Sequence, residues 1–501
     1  MKKILINDNS WQTRIAIVQD NELQNLYFSS HAHKTLERIY FKGVVLKVLP
    51  GIQTAFVDIG QERAGFLHIS EIDRELAISE ISKHLQLDED DEQTERKARK
   101  QIDIAKILHE GEHVLVQVSK EPVYEKGAKL TTCFTLPGRF VVLMPNIPRM
   151  GVSKKIAEKE ERIRLKTIVR SNLPEGMGAI IRTTAEGRNE TEILKDLNYL
   201  IETYRTIEKE YAAAQPKDKV HQDIPLPLQI IRDHLDSDVE EIITDTKENE
   251  RALYNFVQMI APEHTNIIKY YTGETPLFDR FGLEQQIEKA LEKKVELRSG
   301  GSLIIESTEA MTVVDVNTGK FTGKGNMEET IFKTNMEAAQ EIVRQLKLRN
   351  IGGLIVIDFI DMSLPANRQK LFRHFERLLR EQDKFQSVVL KLSEFGLVQM
   401  TRKRSGKTLV QQLTNTCKDC HGSGFVKSVQ TECYALLRVL QEKLSHYANG
   451  TLMVHLNPQV FEYMTNTEYN AILDLQKQQR CKITLCTDPT LAHNQYKIEK
   501  K

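Results

Sequence analysis

Two short apolar runs, each ending in a carboxylate and joined by one long helix-forming stretch, constrain this chain more than any other feature. Val313-Val314-Asp315-Val316-Asn317 reads as a strand. Residues two apart on a strand share a face, so Asp315 and Asn317 point one way and Val314 and Val316 the other. Residues 328–349 then carry Ile331, Ala338, Ile342, Val343, Leu346 and Leu348 as an imperfect apolar helix face. Asn350-Ile351-Gly352-Gly353 is a helix stop, and Leu354-Ile355-Val356-Ile357 reads as a buried strand ending at Asp358. With further strands at 294–298 and 302–306, the segment 286–400 predicts an α/β sheet. Ligand sites in such sheets lie outside the carboxyl ends of strands, where Asp315, Asn317 and Asp358 all fall.

Burying Asp315 and Asn317 beside apolar neighbours is costly without a partner. A hard cation is one such partner, because Mg²⁺ prefers oxygen ligands, keeps several waters and needs only two or three side chains. The competing reading is local: Asp315 and Asn317 open a turn into Thr318-Gly319, and Asp358 caps a helix. Asp361 reads as a cap or as a neighbour of the ligands rather than a ligand.

Composition sets few limits. The 501 residues suffice for several domains, and lysine plus arginine equals aspartate plus glutamate, 70 against 70. A basic surface for nucleic acid must therefore be local. No apolar run approaches the roughly 18 residues that span a bilayer, and Met1 to Ile6 lacks the apolar core of an export signal. Six cysteines, at 133, 417, 420, 433, 481 and 486, are too few for a disulfide scaffold. The expectation is a reducing, cytoplasmic setting without a membrane span.

Strand-like segments at 40–48, 53–58, 64–67, 113–119 and 130–135, punctuated by glycines, predict a small barrel of the oligonucleotide-binding class. A polar insert over 73–108, with an acidic cluster at Asp88 to Glu92, interrupts it. Phe56 and Phe66 lie on separate barrel strands and read either as core or as exposed stacking platforms. Farther on come a strand near 140–144, a charged helix near 155–171, strand 178–183, a long helix near 189–213 and a linker over 214–223. Arg182 with Thr183 at the end of strand 178–183 suits a terminal phosphate; alone, such an arginine is usually a solvated strand-end charge. Segment 224–285 and the N-terminal strands have the size to share one sheet. Arg402, Lys403 and Arg404 form a short basic run that could face phosphate.

Cys417-Lys418-Asp419-Cys420-His421 allows haem attachment, a thioredoxin-like redox pair or zinc. Haem attachment belongs in exported proteins, and the following glycines do not fit the redox junction. Tetrahedral zinc needs four ligands. His421 and Cys433 could complete an intrachain site, or a second chain could bring its own pair. Cys133, Cys481 and Cys486 read as structural.

At this point the residues resemble a known group. Val314-Asp315-Val316-Asn317-Thr318-Gly319, the helix Glu328 to Asn350, and Gly352-Gly353-Leu354-Ile355-Val356-Ile357-Asp358-Phe359-Ile360-Asp361-Met362 closely resemble the ribonuclease E/G family, the interval between the aspartates included. Phe395-Gly396-Leu397-Val398-Gln399-Met400-Thr401-Arg402 does so too, and the likeness runs from residue 1 to about 426. It implies a multidomain α+β fold: an RNase H-like domain (1–37 and 222–285) holding an inserted S1/OB-type β-barrel (38–125), a 5′-sensor domain (126–221), a DNase I-like α/β catalytic domain (286–410), a zinc link (411–426) and a small C-terminal oligomerisation domain (427–501). It implies that Asp315, Asn317 and Asp358 are catalytic, with Asp315 and Asp358 holding Mg²⁺, and that Phe56, Phe66 and Lys120 touch RNA. It implies that Arg182 and Thr183 bind a 5′-phosphate, and that Cys417 and Cys420 share one Zn²⁺ with a second protomer, giving a homodimer or higher assembly.

The expected activity is endonucleolytic cutting of single-stranded A/U-rich RNA, ribosomal RNA precursors and messages, leaving 5′-phosphate and 3′-hydroxyl ends. Attack by a 2′-hydroxyl driven by a histidine pair is disfavoured, since no histidine lies between 265 and 373. One departure concerns 5′ sensing: the family's pocket also draws on an arginine after the second aspartate, and none stands near Phe385 and Gln386. The absence of an Arg/Pro-rich tail before Lys501 points to the family's shorter branch. The alternatives are the catalytic half of a tail-bearing member and a non-catalytic S1-type RNA-binding protein.

Overall fold

The computed structural model describes the chain apart from residues 33–34, 73–102, 123–126, 237, 320–326, 392, 394–395, 405, 446–449 and 501. The Asp88 to Glu92 cluster, most of the insert and Phe395 lie outside the described residues. The chain divides into two compact units, Met1–Leu409 and Val410–Lys501.

In the first unit, β1 (Lys2–Asp8), β2 (Gln12–Gln19) and β3 (Glu22–Ser30) run as an antiparallel meander. A closed five-stranded barrel follows: β4 (Tyr40–Leu49), β5 (Thr54–Asp58), β6 (Gly65–His68), β7 (His113–Lys120) and β8 (Lys129–Thr131). The strand order is β4-β5-β6-β8-β7, and β7 closes the circle by pairing with β4. Phe41, Val45, Ala55, Val57, Leu67, Val116, Val118 and Leu130 fill the interior. Closure brings β4 and β5 so near that a Cβ on Gly43 would lie 2.4 Å from Val57 Cγ1, which only glycine avoids.

The predicted strand 130–135 ends early, at Thr131. Next come β9 (Leu136–Pro137), β10 (Val141–Met144), β11 (Met150–Val152), α1 (Lys159–Ser171), β12 (Gly178–Ile181) and α2 (Glu190–Ala213). They form a sheet of order β11-β12-β10-β9, and residues of α1 and α2 share its core. A capping box between Asn189 and Glu192 fixes where α2 starts. The expected linker over 214–223 is not one: β13 (Lys219–His221) pairs antiparallel with β4 and adds an edge to the barrel sheet. Three residues are too few to show a strand period in sequence.

After α3 (Leu226–His234), β14 (Val239–Thr244), α4 (Lys247–Ile260) and β15 (Ile268–Tyr270) return to the start of the chain. β14 runs parallel to β1, giving one sheet of order β15-β14-β1-β2-β3 from two distant segments.

The last sheet of this unit holds β16 (Lys294–Glu296), β17 (Ser302–Ser307), β18 (Met311–Asn317), β19 (Gly353–Asp358), β20 (Ser387–Val389) and β21 (Leu397–Arg402), in the order β16-β17-β18-β19-β21-β20. Only β18 and β19 are parallel, because α5 (Met327–Leu348) crosses between them. With α6 (Pro365–Gln382) it covers one sheet face, where Val314, Val316, Ile355, Ile357, Val398 and Met400 are buried. The other face is open: Val313, Asp315, Asn317, Leu354, Asp358, Gln399 and Thr401 are exposed. The expectation of a buried strand at 354–357 therefore holds for Ile355 and Ile357 but not for Leu354, which is exposed. The strand is apolar on both sides, but helices cover only one.

The second unit comprises α7 (Val429–Ser445), β22 (Thr451–Leu456), α8 (Pro458–Asn466), α9 (Tyr469–Gln479), β23 (Lys482–Thr487) and β24 (Tyr496–Lys500). Its sheet has the order β23-β22-β24, and Cys433, Leu436, Leu440, Val454 and Met464 lie in its core. No helix among the described residues is long and apolar enough to cross a membrane.

Candidate functional site

The parallel register of β18 and β19 sets Asp315 directly opposite Asp358. Neighbouring strands lie about 4.8 Å apart, and both carboxylates point to the open face. Asn317 Nδ2 donates to Asp315 Oδ2 at 2.8 Å, which orients that carboxylate. Gly319 follows at φ +60°, where a Cβ would come 2.3 Å from Gly300 O, so the turn beyond the strand depends on glycine. Asp358 is the last residue of β19 and caps no helix; the N-terminus of α6 is instead held by Glu328, which accepts from Ser363 N, Leu364 N and Asn367 Nδ2. Asn335, fully buried on α5, donates Nδ2 to Ile360 O at 2.8 Å and accepts from Ile360 N at 3.1 Å. This clamp fixes the loop that leaves Asp358, and nothing in the sequence singled it out.

Partial desolvation, then the charges of Asp315 and Asp361, push the Asp358 carboxyl above its ordinary range. Among the described residues no ion pair reaches Asp315, Asp358 or Asp361. The site is thus a concentration of uncompensated negative charge on hard oxygen donors. Asp315 and Asn317 are exposed, contrary to the expected burial; like-charge crowding, and not desolvation of this pair, is the reason a cation fits. Among the described residues no three His, Cys, Asp or Glu side chains are grouped to hold a metal. Two carboxylates, an amide and open space for water nonetheless match the sparse donor set of Mg²⁺.

On the barrel, Phe56 and Phe66 are register partners and point outward, while their strand neighbours Ala55, Val57 and Leu67 fill the interior. The same row continues on both sides. Lys47 pairs with Phe56, Lys129 with Phe66, and Lys120 with Lys129. Two ring faces flanked by lysines result. Lys47 and Lys129 escaped sequence reasoning because only cross-strand register aligns them. Lys129 also pairs with Glu71. Lys403, just past β21, titrates below the ordinary lysine range because it is partly desolvated and because Lys120 bears on it. Its neighbour Arg402 is not phosphate-facing. Arg402 is 2% exposed, is fastened to Asp383 by two hydrogen bonds of 2.6 and 3.0 Å, and donates to Ile351 O.

Arg182 follows β12 directly and is half-buried, with Thr183 exposed beside it. Arg182 Nη1 donates to Gly138 O and to Asp233 Oδ1, each at 2.7 Å. Lys384, next to Phe385 in the chain, reaches α3 and donates to Asp233 O at 2.6 Å, while the Arg402 guanidinium lies 4.7 Å over the Phe385 ring. Neither Asp233 nor Lys384 carried a signal in the sequence.

In the second unit, Cys417 is exposed and Cys420 half-exposed. His421 N donates to Cys417 O and Ser423 N to Cys420 O, closing a tight turn. Backbone hydrogen bonds from Gly424 and Gly422 hold the Cys420 thiol below its ordinary range, which favours the thiolate that metals require. Cys433 cannot complete an intrachain site from its place in the core, where its Sγ faces Val460 O at 3.7 Å and burial pushes the thiol up to about 11. That alternative is withdrawn. Cys133 and Cys481 are buried and Cys486 half-exposed.

Fold and site together define a mixed α+β protein that carries paired strand-end carboxylates and a closed barrel faced with aromatic and basic side chains. The chain belongs to the ribonuclease E/G family: the Ribonuclease E/G family pattern matches residues 135–405. The pattern described as RNase E/G, Thioredoxin-like domain matches residues 416–501. Ribonuclease G of Escherichia coli (strain K12) is 39% identical over 474 residues, covering 95% of this chain and 94% of that protein. Ribonuclease G of Haemophilus influenzae (strain ATCC 51907 / DSM 11121 / KW20 / Rd) is 39% identical over 471 residues, 94% and 93% of the two chains. Ribonuclease E of Escherichia coli (strain K12) is 35% identical over 489 residues, which cover 96% of this chain but 45% of that protein.

Proposed function

We propose that this chain is a magnesium-dependent endoribonuclease acting on single-stranded A/U-rich RNA in the cytoplasm, in ribosomal RNA 5′-end maturation and message turnover. The observation that carries the reading is the register of β18 and β19, which pairs Asp315 with Asp358 on an open face. When bound there, Mg²⁺ supplies Lewis-acid polarisation of the scissile phosphate, charge neutralisation and an activated water. Asp315 and Asp358 hold it, and Asn317 keeps Asp315 oriented through its 2.8 Å hydrogen bond. The expected products carry 5′-phosphate and 3′-hydroxyl ends. The exposed sheet face leaves the two carboxylates open to an extended strand.

Phe56 and Phe66 stack on bases, with Lys120, and in addition Lys47, meeting phosphates. Arg182 and Thr183 read a 5′-monophosphate and raise the cutting rate. Cys417 and Cys420 share a zinc ion with the same pair of a second protomer, so the protein works as a homodimer or higher assembly. The likeness to ribonuclease G along nearly the whole of both chains supports that branch over a catalytic half of ribonuclease E. The domain assignment given by resemblance (RNase H-like 1–37 and 222–285, S1 38–125, 5′-sensor 126–221, DNase I-like 286–410, zinc link 411–426, small oligomerisation domain 427–501) belongs to the same reading.

The test is a denaturing gel of end-labelled single-stranded RNA with Mg²⁺, against the same mixture with EDTA, followed by end-group analysis. Internal cleavage that disappears with EDTA is expected. Equal cleavage in both removes the metal mechanism, and binding without cleavage turns the reading into that of an S1-type RNA-binding protein.

A further inference from the structure

Arg182 is held in an unusual way. Both of its acceptors, Gly138 O and Asp233 Oδ1, sit on one nitrogen, Nη1, at 2.7 Å each. Nη1 carries two hydrogens, so both are used there. Nε and Nη2 make no bond to the described residues. The edge they form is a rigid fork matched to two oxygens of one phosphate. Asp233 thus contacts the guanidinium end-on and leaves the other edge without a bond, with the exposed Thr183 next in the chain. A carboxylate competing for the site would be expected to take that fork itself.

Asp233 is itself fixed. Arg232 Nε lies 3.4 Å from the same Oδ1. The Asp233 carbonyl, in the last turn of α3, accepts from Lys384 Nζ at 2.6 Å, and that ammonium also lies 3.3 Å from His234 Nδ1. A cation at a helix C-terminus is favourably placed to hold the unpaired carbonyls there. Lys384 stands two residues past the end of α6; the residue is exposed as a whole, but burial of its amine pushes its titration down to about 8. Its neighbour Asp383 is locked by buried Arg402 of β21. β21 pairs with β19 along its length, from Arg402 opposite Gly353 to Leu397 opposite Asp358. A continuous chain of hydrogen-bonded groups therefore runs from the guanidinium of Arg182 to the strand that ends in Asp358.

We propose that Asp233 is a positioning residue which presents the Nε/Nη2 edge of Arg182 to an RNA 5′-phosphate, and that Lys384 ties this arrangement to the cutting sheet. The proposal rests on the reading of Arg182 as the 5′-phosphate contact. It adds two residues that set how strongly the enzyme prefers a phosphorylated 5′ end. Perturbing each residue in turn separates orientation of the guanidinium from transmission along this path.

The experiment compares steady-state cleavage of one oligoribonucleotide carrying either a 5′-monophosphate or a 5′-hydroxyl, by the full-length protein and its Asp233→Ala, Asp233→Asn and Lys384→Met variants, with thermal melts as a folding check. Wild type is expected to prefer the monophosphate. Asp233→Ala should bring the ratio of the two kcat/KM values near one while 5′-hydroxyl cleavage stays within about twofold, and Asp233→Asn, which keeps an acceptor, should retain most of the preference. Lys384→Met should leave the monophosphate's effect on KM but remove its effect on kcat. An unchanged preference in Asp233→Ala overturns the proposal, and a larger one means that the carboxylate competes with phosphate. If Asp233→Ala fails to fold, Lys384→Met at its exposed position decides: an undiminished kcat effect overturns the proposal. A wild-type enzyme indifferent to the 5′ end overturns the reading of Arg182, and the proposal with it.

Discussion

Replacing Asp358 by asparagine should move stability and activity in opposite directions. Asp315 and Asp358 are register partners on adjacent strands. Two unit charges about 5 Å apart repel by about 1 kcal/mol in bulk water and about 3 kcal/mol at an effective dielectric of about 20. Both groups face solvent, so screening by salt leaves the lower end, roughly 1 kcal/mol. Asp358→Asn removes that repulsion without changing side-chain size, and the metal-free variant should unfold at the same temperature as wild type or slightly higher. Wild type in magnesium at about ten times its Kd should gain about 1.4 kcal/mol, a gain the variant should largely lose. Cleavage should fall by roughly a hundredfold or more, the usual cost of removing one group that stabilises transition-state charge. Thermal unfolding with and without Mg²⁺, alongside the RNA gel, reads both quantities. A variant that is destabilised by more than about 1 kcal/mol without metal contradicts the charge argument. One that cuts at the wild-type rate removes Asp358 from the chemistry.

Asn335→Leu breaks both bonds to the half-buried Ile360 and should cost about 1–3 kcal/mol, read as a lower unfolding midpoint together with slower cleavage. Arg402→Met strands the buried Asp383 carboxylate and should cost about 3–5 kcal/mol; a near-neutral result in denaturant unfolding contradicts the assignment of Arg402 as structural. Phe56→Ala and Phe66→Ala should each weaken RNA binding by about 1–3 kcal/mol, measured by fluorescence anisotropy, while Lys47→Met should chiefly flatten the salt dependence. Cys417→Ser with Cys420→Ser should release zinc by metal analysis and lower the mass seen by light scattering. An unchanged mass rules out the bridging zinc.

How much of this was legible in the sequence differed from residue to residue. Asp315, Asn317 and Asp358 were visible because strand alternation and the ends of apolar runs are local signals, and the structure brings the two aspartates side by side. The openness of their face was not, because Leu354 and Val356 are as apolar as Ile355 and Ile357 although only the latter two are fully buried. Arg402 misled by its type. It continues the inward alternation of Val398 and Met400, yet its partner Asp383 is found only through the tertiary fold. Lys129 and Asp233 depend on cross-strand register and helix placement, neither of which leaves a trace in a single sequence. The aromatic pair was ambiguous for the same reason, since Phe56 and Phe66 would suit the inside of a barrel as well as its outer surface.

The sheet that joins β1 to β14 carries a consequence for synthesis. Lys2 pairs with Val239 and Ile6 with Thr244, so the first strand waits for more than two hundred residues before its second edge is covered. At the ribosome's pace of about 5–20 residues per second, that interval is on the order of ten seconds or more. Through it the meander of β1, β2 and β3 stands with a bare edge, the kind that recruits unwanted strands. The barrel, whose strands all fall between Tyr40 and Thr131, can close in the meantime. The nascent chain should therefore acquire its RNA-facing barrel before it has a finished N-terminal sheet, and its need for chaperones should be greatest while that edge stays open.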